Sequence, residues 1–487
     1  MTTPAAPPAL PIANRLDFSD RLSPIIVKEL RQGLRTKVFV SLFIIVQALM
    51  SLTIIISLVA AANQIDASTG SSFFWMMIGI PVVFILPFRG FNSVGAEMKG
   101  GTLDLVLLTR LSARRIVFGK WLAIVAQTAL FVCAVLPYVV LRYFLGGVNL
   151  TDELIGLVWM LFSSAILTAV AVGMSPYQNR VTRVLFWLGI IFLAQASFPL
   201  LLFLGFGNTA VLAGGAALDW TLWAVLPAFG ILLLLLMLEV GASKIAPEAE
   251  NHSAGIRLIA ALLLLIAALF TVLDSSIAIG VTIAAFAIGY LVLAASLAER
   301  VRLNAGLYRP FAERGILGRL AGRLLSPGWP SGTLFSLVFT ATTAILLSRL
   351  GVFSTNEITA TFLAAVGALL LPAALIRAFL PNTKRFLTYY VSVQIVGIVV
   401  ALVVMILDSI FDSFAIEIIA FFPTSGLMVA LFTQFRDSDP LVLCVSYGVI
   451  IALSAGMLLE RSRSAWAEIR KLERSTPAAS TPEGSTP

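Results

Sequence analysis

Long apolar runs, separated by short polar segments, extend along the chain from Val38 to Leu459. A helix needs about 20 apolar residues to cross the hydrocarbon core of a bilayer, and most of these runs reach or approach that length. The pattern predicts an all-α, polytopic membrane protein with about 12 transmembrane helices, arranged as two six-helix halves.

The predicted spans of the first half cover residues 38–61, 73–88, 121–144, 154–174, 184–204 and 220–240. Those of the second half cover residues 258–273, 276–297, 333–347, 358–380, 386–407 and 441–459. The second span is short and contains Pro81 and Pro87. Proline permits a kink there if neighbouring groups satisfy the freed backbone.

Polar and basic segments divide the chain into regions. Residues 1–21 are rich in Pro and Ala and are predicted to be disordered. Residues 22–37 are predicted to form an interfacial amphipathic helix; a plain basic flank of the first span is the alternative. The first six-span domain covers 38–243. The second membrane region covers 244–460 and includes a basic cytosolic loop at 299–330, with a predicted helix over 311–325.

The apolar run 413–435 needs a separate interpretation. The sequence Phe422-Pro423-Thr424-Ser425-Gly426 breaks it in the middle. If the run crossed the membrane, the count of spans would rise by one and the basic tail would lie outside, against the positive-inside tendency. We therefore predict a re-entrant hairpin that enters from the outer face. The tail, 461–487, is predicted to be cytosolic, basic and then disordered.

Composition supports the same class of protein. The 487 residues are 59% hydrophobic and 12% charged, whereas soluble proteins carry about 25% charged residues. The net charge of +8 lies in loops and tails, so it indicates topology and contact with membrane lipids, and no nucleic-acid partner is expected. The expected location is the plasma or inner cell membrane, with both termini in the cytoplasm.

One polar segment, EMKGGTLDLVLLTRLSARRIVFGK (residues 97–120, the elbow), interrupts the first half. Its basic residues place it in the cytoplasm. Gly100 and Gly101 break the chain, and Thr102 and Ser112 can each cap a short helix. Neither helix is long enough to cross the membrane, so the elbow is predicted to be a cytosolic, amphipathic connection between spans two and three.

Five pieces of the elbow resemble the signature of the permeases of type-2 ABC exporters: Glu97, Gly101-Thr102-Leu103-Asp104-Leu105, Thr109-Arg110-Leu111-Ser112, Ile116-Val117 and Gly119-Lys120. Family members typically read E-x-x-x-G-T-L-E-L-L-L-x-T-P-L-S, followed by I-x-x-G-K. Asp104 replaces the common Glu and Arg110 the common Pro. The run Lys28-Glu29-Leu30 is similar to the start of many such permeases, and the resemblance extends over residues 22–243.

The resemblance implies that the elbow transmits force from a separate ATP-binding subunit, which would hold ATP and Mg²⁺, while this chain binds no cofactor. The implied coupling residues are Glu97, Gly101, Thr102, Leu103, Asp104, Leu111, Ser112, Arg115, Gly119 and Lys120. Glu97 is expected to stabilise the following helix or to pair with Arg114 or Arg115. A homodimer or a second permease subunit is expected unless the second half is a duplicate of the first.

Candidate chemistry elsewhere is sparse. The only Gly-Lys pair, Gly119-Lys120, is followed by Trp121 and does not form a P-loop. His252 is the only histidine, which excludes a His-based metal site or triad, and we expect it in an exposed loop. Cys133 and Cys444 lie in apolar segments and are expected to be small core residues. No metal site and no catalytic residue is predicted.

A few polar residues lie within predicted membrane segments. The candidates for a substrate path are Gln47, Gln127, Gln195, Gln394 and Glu417, although hydrogen bonding between helices is the commoner role of such glutamines. Glu239 is expected to snorkel towards Lys244, and Arg142 to anchor the outer interface.

The favoured function is therefore the permease subunit of an ABC exporter. The alternatives are a permease relative that acts as a membrane scaffold or in assembly, and a polytopic membrane enzyme that acts on lipid-linked substrates. A proton-driven carrier is disfavoured because no chain of intramembrane acids or histidines is visible.

Overall fold

A computed structural model describes residues 24–62, 68–101, 112–145, 149–177, 220–247, 250–273, 275–300, 305–381, 383, 385–411, 415–433 and 439–475. These residues fold into helices joined by short connections, and no β-strand occurs among them. The predicted all-α fold is therefore confirmed.

The helices of the first part have the following bounds: α1 Pro24–Leu34, α2 Lys37–Ala62, α3 Ser68–Gly79, α4 Gly95–Lys99, α5 Ala113–Leu145, α6 Leu150–Met174 and α7 Trp220–Ile245. A π-helix (Ile80–Ile85), a short α-turn (Leu86–Phe88) and a 3-10 turn (Arg89–Asn92) continue α3 towards α4.

The remaining helices begin after residue 251. Their bounds are α8 His252–Leu273, α9 Ser275–Ala298, α10 Ala305–Ala312, α11 Gly315–Leu325, α12 Trp329–Arg349, α13 Asn356–Phe379, α14 Phe386–Phe411, α15 Ala415–Ala420, α16 Pro423–Thr433, α17 Pro440–Arg461 and α18 Arg463–Ser475. A 3-10 turn, Val352–Ser354, lies between α12 and α13.

Within the described ranges, 11 helical segments are long and apolar enough to cross a membrane: Lys37–Val59, Phe73–Lys99, Ala113–Leu145, Leu150–Met174, Val225–Ile245, His252–Leu273, Ile277–Ala298, Trp329–Arg349, Asn356–Phe379, Phe386–Asp408 and Pro440–Arg461. They match eleven of the predicted spans, and the predicted fifth span, 184–204, lies outside the described residues. The chain is thus a multi-pass membrane protein.

The region of the predicted hairpin contains two short helices. Helix α15 ends at Ala420 and α16 begins at Pro423, so the break falls where the Phe422-Pro423 sequence predicts it. Neither helix reaches the length of a span. Re-entry from the outer face stays a prediction.

The chain divides into two compact units. The first contains the helices up to Met174 and residues 240–245, and the second contains residues 218–239 and the chain from Ala246 onward. Each unit is described by itself.

Two prolines reshape the second span of the first unit. Pro81 lies in the π-helix, in which the N–H of Leu86 bonds to the carbonyl of Pro81. Pro87 has no N–H to continue this pattern to the Val82 carbonyl, and the Ser164 hydroxyl donates to that oxygen instead, over 2.6 Å. A neighbouring helix therefore satisfies the freed backbone, as predicted for prolines in a span.

The predicted glycine break of the elbow is present, but the end of the elbow differs from the prediction. Helix α4 ends at Lys99, and Gly101 has a φ of 66°, a conformation that favours glycine. Residues 102–111, with the predicted first short helix, lie outside the described residues. The prediction of a separate second short helix is wrong, because α5 runs from Ala113 to Leu145 without a break. Its polar first turns simply extend the third span.

The basic loop of the second unit also differs from the prediction. The predicted helix 311–325 is two helices, α10 and α11, divided before Gly315, whose φ is 76°. The first part of the tail forms helix α18, which the sequence did not predict, and Ile469 of α18 packs with Tyr308 and Ala312 of α10.

Candidate functional site

A buried lysine joins three helices of the first unit. Lys120, on α5, has a side chain that is only 3% exposed. Its Nζ lies 2.9 Å from Oε1 of Glu29 on α1 and 2.9 Å from Oε1 of Glu97 on α4. We call these three residues the Lys120 cluster. Two of them, Glu97 and Lys120, were predicted coupling residues, and Glu29 belongs to the N-terminal run of the resemblance.

The charges of the Lys120 cluster explain why a lysine is tolerated there. A buried ammonium is costly unless carboxylates accept its hydrogen bonds. Two carboxylates around Lys120 leave one excess negative charge, and Lys28, whose side chain is 64% exposed, lies 4.0 Å from Glu29 and 3.9 Å from Glu97. The group of four side chains is therefore electrically balanced.

A serine that follows another helix holds the start of α4, the helix that leads into the elbow. Ser175 follows α6 and is fully buried. Its Oγ accepts hydrogen bonds from the backbone N–H groups of Val94 and Gly95, each over 2.9 Å. These bonds satisfy donors at the start of α4, which its own residues leave free. Sequence reasoning did not identify Ser175, because only the packing of α6 brings it there.

The structure describes only some of the other predicted coupling residues. Gly101 lies at the break after α4, and the Ser112 carbonyl accepts the N–H of Arg115 over 3.0 Å at the start of α5. Arg115 is exposed, whereas Gly119 is buried. Four further candidates lie outside the described residues, namely Thr102, Leu103, Asp104 and Leu111.

A cavity of about 500 Å³ adjoins the Lys120 cluster. Its walls include all three cluster residues, Lys28, and two residues deeper in the unit, Arg89 and Gln127. Nη1 of Arg89 donates to Oε1 of Gln127 over 2.6 Å. The predicted substrate-path residue Gln127 thus lies on the wall of a cavity, while its amide also joins α5 to the second span.

The remaining substrate-path candidates lie apart from this cavity. Gln47 on α2 donates to the carbonyl of Ala134 over 3.5 Å, and Gln394 on α14 donates to the carbonyl of Ala368 over 2.6 Å. Both bonds join helices, the role that is commoner for intramembrane glutamine. Glu417 is exposed on α15. Gln195 lies outside the described residues.

The prediction of an exposed His252 is wrong. Its side chain is buried, with Nδ1 at 2.8 Å from Oε1 of Glu239 and Nε2 at 2.8 Å from Oε2 of Glu250. The imidazole can be buried because a carboxylate lies next to each ring nitrogen. The contact with His252 also holds the side chain of Glu239 in place. Within the described ranges, no three His, Cys, Asp or Glu side chains are grouped as metal ligands.

Two other expectations change. Arg142 is buried, bonds to Oε2 of Glu153 over 2.9 Å and stacks on the ring of Phe74, so it is part of a buried ion pair and not an interfacial anchor.

Cys133 is exposed and is not a core residue, because it lies on the outward face of α5. Cys444 is half-buried, and both thiols are free.

A buried arginine organises the basic loop of the second unit. Arg257 on α8 has a fully buried side chain, and its Nη2 lies 2.6 Å from Oε2 of Glu299. Its guanidinium also donates to the carbonyls of Leu324, Ser326 and Gly328 over 2.7, 2.8 and 3.2 Å. We call this arrangement the Arg257 clasp. It holds the end of α11 and the turn before α12 against α8.

A second ion pair attaches the C-terminal helix to the same loop. Glu473 on α18 accepts hydrogen bonds from Arg323 over 2.7 Å and from the Tyr308 hydroxyl over 2.6 Å. Hydrogen bonding from Arg323 holds the pKa of the Glu473 carboxyl below its ordinary value of 4.5, although burial opposes this. Burial raises the pKa of the Tyr308 hydroxyl, so it remains a donor.

We expect the attachment of α18 to be lost in acid. A carboxyl whose pKa is lowered by folding stabilises the folded form above its ordinary pKa of 4.5 and loses this contribution as the pH falls through the lower, folded value. Hydrogen exchange of residues 463–475, corrected for intrinsic rates, should therefore accelerate below pH 4.5. Glu473→Gln should accelerate it about tenfold already at pH 7, since charge-assisted bonds are lost.

The matched control for this prediction is Glu313→Gln. Glu313 pairs with Arg309, but its side chain is 43% exposed and that of Arg309 is 73% exposed. Its loss should leave exchange in α18 unchanged. Equal exchange at pH 7 in the parent and in Glu473→Gln would show that apolar packing alone holds the helix.

The chain matches no protein-family model, no curated protein and no solved structure. The resemblance to ABC permeases therefore rests on the motif residues alone.

Proposed function

We propose that this chain is the membrane-spanning permease subunit of an ABC exporter, and that a separate cytosolic subunit binds and hydrolyses ATP. The proposal is supported above all by the Lys120 cluster. Glu29, Glu97 and Lys120 come from three separate parts of the sequence resemblance, and they meet in one ion-paired contact. A segment that transmits force must be firmly attached to the helices that it moves, and these ion pairs provide such an attachment.

The cluster gives the elbow a mechanical connection to the membrane helices. Glu97 stands just before the elbow's glycine break and Lys120 stands at its far end, so their contact closes the loop between them. Because α5 continues unbroken from Ala113, a push on the loop would move the whole third span. The bond of Lys120 to Glu29 would carry the same push to α1.

In this mechanism the ATP-binding subunit contacts the cytosolic elbow, and its closure on ATP and Mg²⁺ displaces the elbow. The spans then tilt between inward-open and outward-open states. The chain itself needs no catalytic residue for this cycle. The membrane would be the plasma or inner membrane, with both termini in the cytoplasm, and the complex would contain a second permease unit, either a second copy or the second half of the same chain.

The deciding experiment is a mild-detergent pull-down of the tagged full-length protein, with bound partners identified and their ATPase activity measured. We expect a P-loop ATPase with the parent protein and its loss when Gly101, Thr102 and Leu103 are replaced by aspartate. The same replacements at Gly351, Val352 and Phe353 should retain the ATPase, because the predicted span 333–347 separates this turn from the predicted cytosolic loop 299–330. If no ATPase appears although a control transporter remains intact, the scaffold and membrane-enzyme functions become the better explanations.

A further inference from the structure

Arg89 is a cation without a counter-ion in the described part of the chain. Its guanidinium donates to Gln127 over 2.6 Å and, more weakly, to the carbonyl of Gly33 and the hydroxyl of Thr36, each over 3.3 Å. All three acceptors are neutral, and no described carboxylate forms an ion pair with Arg89. The side chain is nevertheless partly buried within the apolar segment Phe73–Lys99.

This situation contrasts with Lys120 in the same cavity. Lys120 is compensated by Glu29 and Glu97, whereas Arg89 is compensated by neither. With Lys28 at the exposed edge, the cavity wall carries three cations against two carboxylates and is therefore net positive. A partly buried positive charge is costly without an anionic partner, so the cavity favours an anion next to Arg89.

The donor geometry of Arg89 specifies the kind of anion. A guanidinium presents five N–H groups in a planar fork. Three hydrogen bonds reach described residues, which leaves donors for a further acceptor. Such a fork matches the paired oxygens of a phosphate group. The volume of about 500 Å³ lies within the range of ligand clefts, about 300–1,000 Å³.

We propose that this cavity binds a phosphate-bearing group, with its oxygens on Arg89. The group could belong to a phospholipid of the adjacent leaflet or to a soluble phosphorylated compound, since both offer the same oxygens. Lys28 at the cavity edge would add a second, solvent-screened attraction. The proposal does not depend on coupling to an ATPase.

Native mass spectrometry of the purified full-length protein tests the site with three probes. These are dioleoylphosphatidylglycerol, dioleoylglycerol, which has the same acyl chains but no phosphate, and glycerol 3-phosphate. We expect the phospholipid to bind the parent more tightly than dioleoylglycerol. Arg89→Gln should weaken this binding about tenfold, because charge-assisted bonds are lost. The matched control is Arg35→Gln, which removes an exposed arginine outside the cavity wall and should change little.

A second variant keeps the test decisive if Arg89→Gln does not fold. Asn92 is an exposed residue of the cavity wall, and Asn92→Trp would fill the cavity while leaving Arg89 in place. It should also weaken phospholipid binding. If glycerol 3-phosphate competes with the phospholipid, the site takes soluble phosphates; if it does not compete, the site takes lipid. Equal binding of phospholipid and dioleoylglycerol, or unchanged phospholipid binding in both variants, would overturn the proposal.

Discussion

Arg257→Met is expected to lower the free energy of unfolding of the second unit by about 3–5 kcal/mol. The substitution leaves Glu299 without the cation that lies 2.6 Å from it. It also leaves the carbonyls of Leu324, Ser326 and Gly328 without the donors of the Arg257 clasp. Unpaired buried acceptors retain their full desolvation cost. Thermal unfolding of the detergent-purified protein, and hydrogen exchange of residues 315–330, would measure the loss.

Two further substitutions identify the cause. Arg257→Lys keeps the charge but cannot reach several acceptors from one planar fork, so most of the destabilisation should remain. Arg309→Met removes an arginine from the same loop whose side chain is 73% exposed, and it should cost less than about 0.5 kcal/mol. If the Arg257→Met and Arg309→Met variants unfold at the same temperature, the Arg257 clasp contributes nothing to stability.

The sequence predicts the membrane architecture well because apolar length is a strong local signal. Eleven of its predicted spans correspond to apolar helices, and the break between α15 and α16 falls at the predicted Phe422-Pro423 sequence. Errors occur where the outcome depends on tertiary contacts. Helix α18 is a short, charged segment, and its contacts with Tyr308 and Arg323 are not visible in a sequence read along the chain.

The candidate site was predictable only in part for the same reason. The motif singled out Glu97 and Lys120, but it did not show that they touch, nor that Glu29 joins them. The sequence could not identify Ser175 either, since a serine after a span has many ordinary explanations. Arg89 was missed because the span was predicted to end at Phe88. The helical path instead continues to Lys99, which carries the arginine into the wall of the cavity.

Lys120→Met should lower the free energy of unfolding of the first unit by about 2–3 kcal/mol. This loss is at or below the lower end of the range that is usual for breaking a buried ion pair. Removal of the ammonium leaves the carboxylates of Glu29 and Glu97 facing each other, with the largely exposed Lys28 as the cation near both. Their side chains are 22% and 18% exposed, so solvent screens part of the repulsion and reduces the cost. The unfolding temperature of the purified protein is the direct measurement.

Lys28→Met is the matched control, because Lys28 is near the same two carboxylates but has a side chain that is 64% exposed. It should shift the unfolding temperature little. A triple variant, Glu29→Gln/Glu97→Gln/Lys120→Met, removes the repulsion together with the cation and should recover part of the stability. If the proposed coupling is correct, this stable triple variant should still fail to link ATP hydrolysis to transport, because the ion pairs that join the elbow to α1 and α5 are absent. Full coupling in the triple variant would restrict the Lys120 cluster to a role in stability.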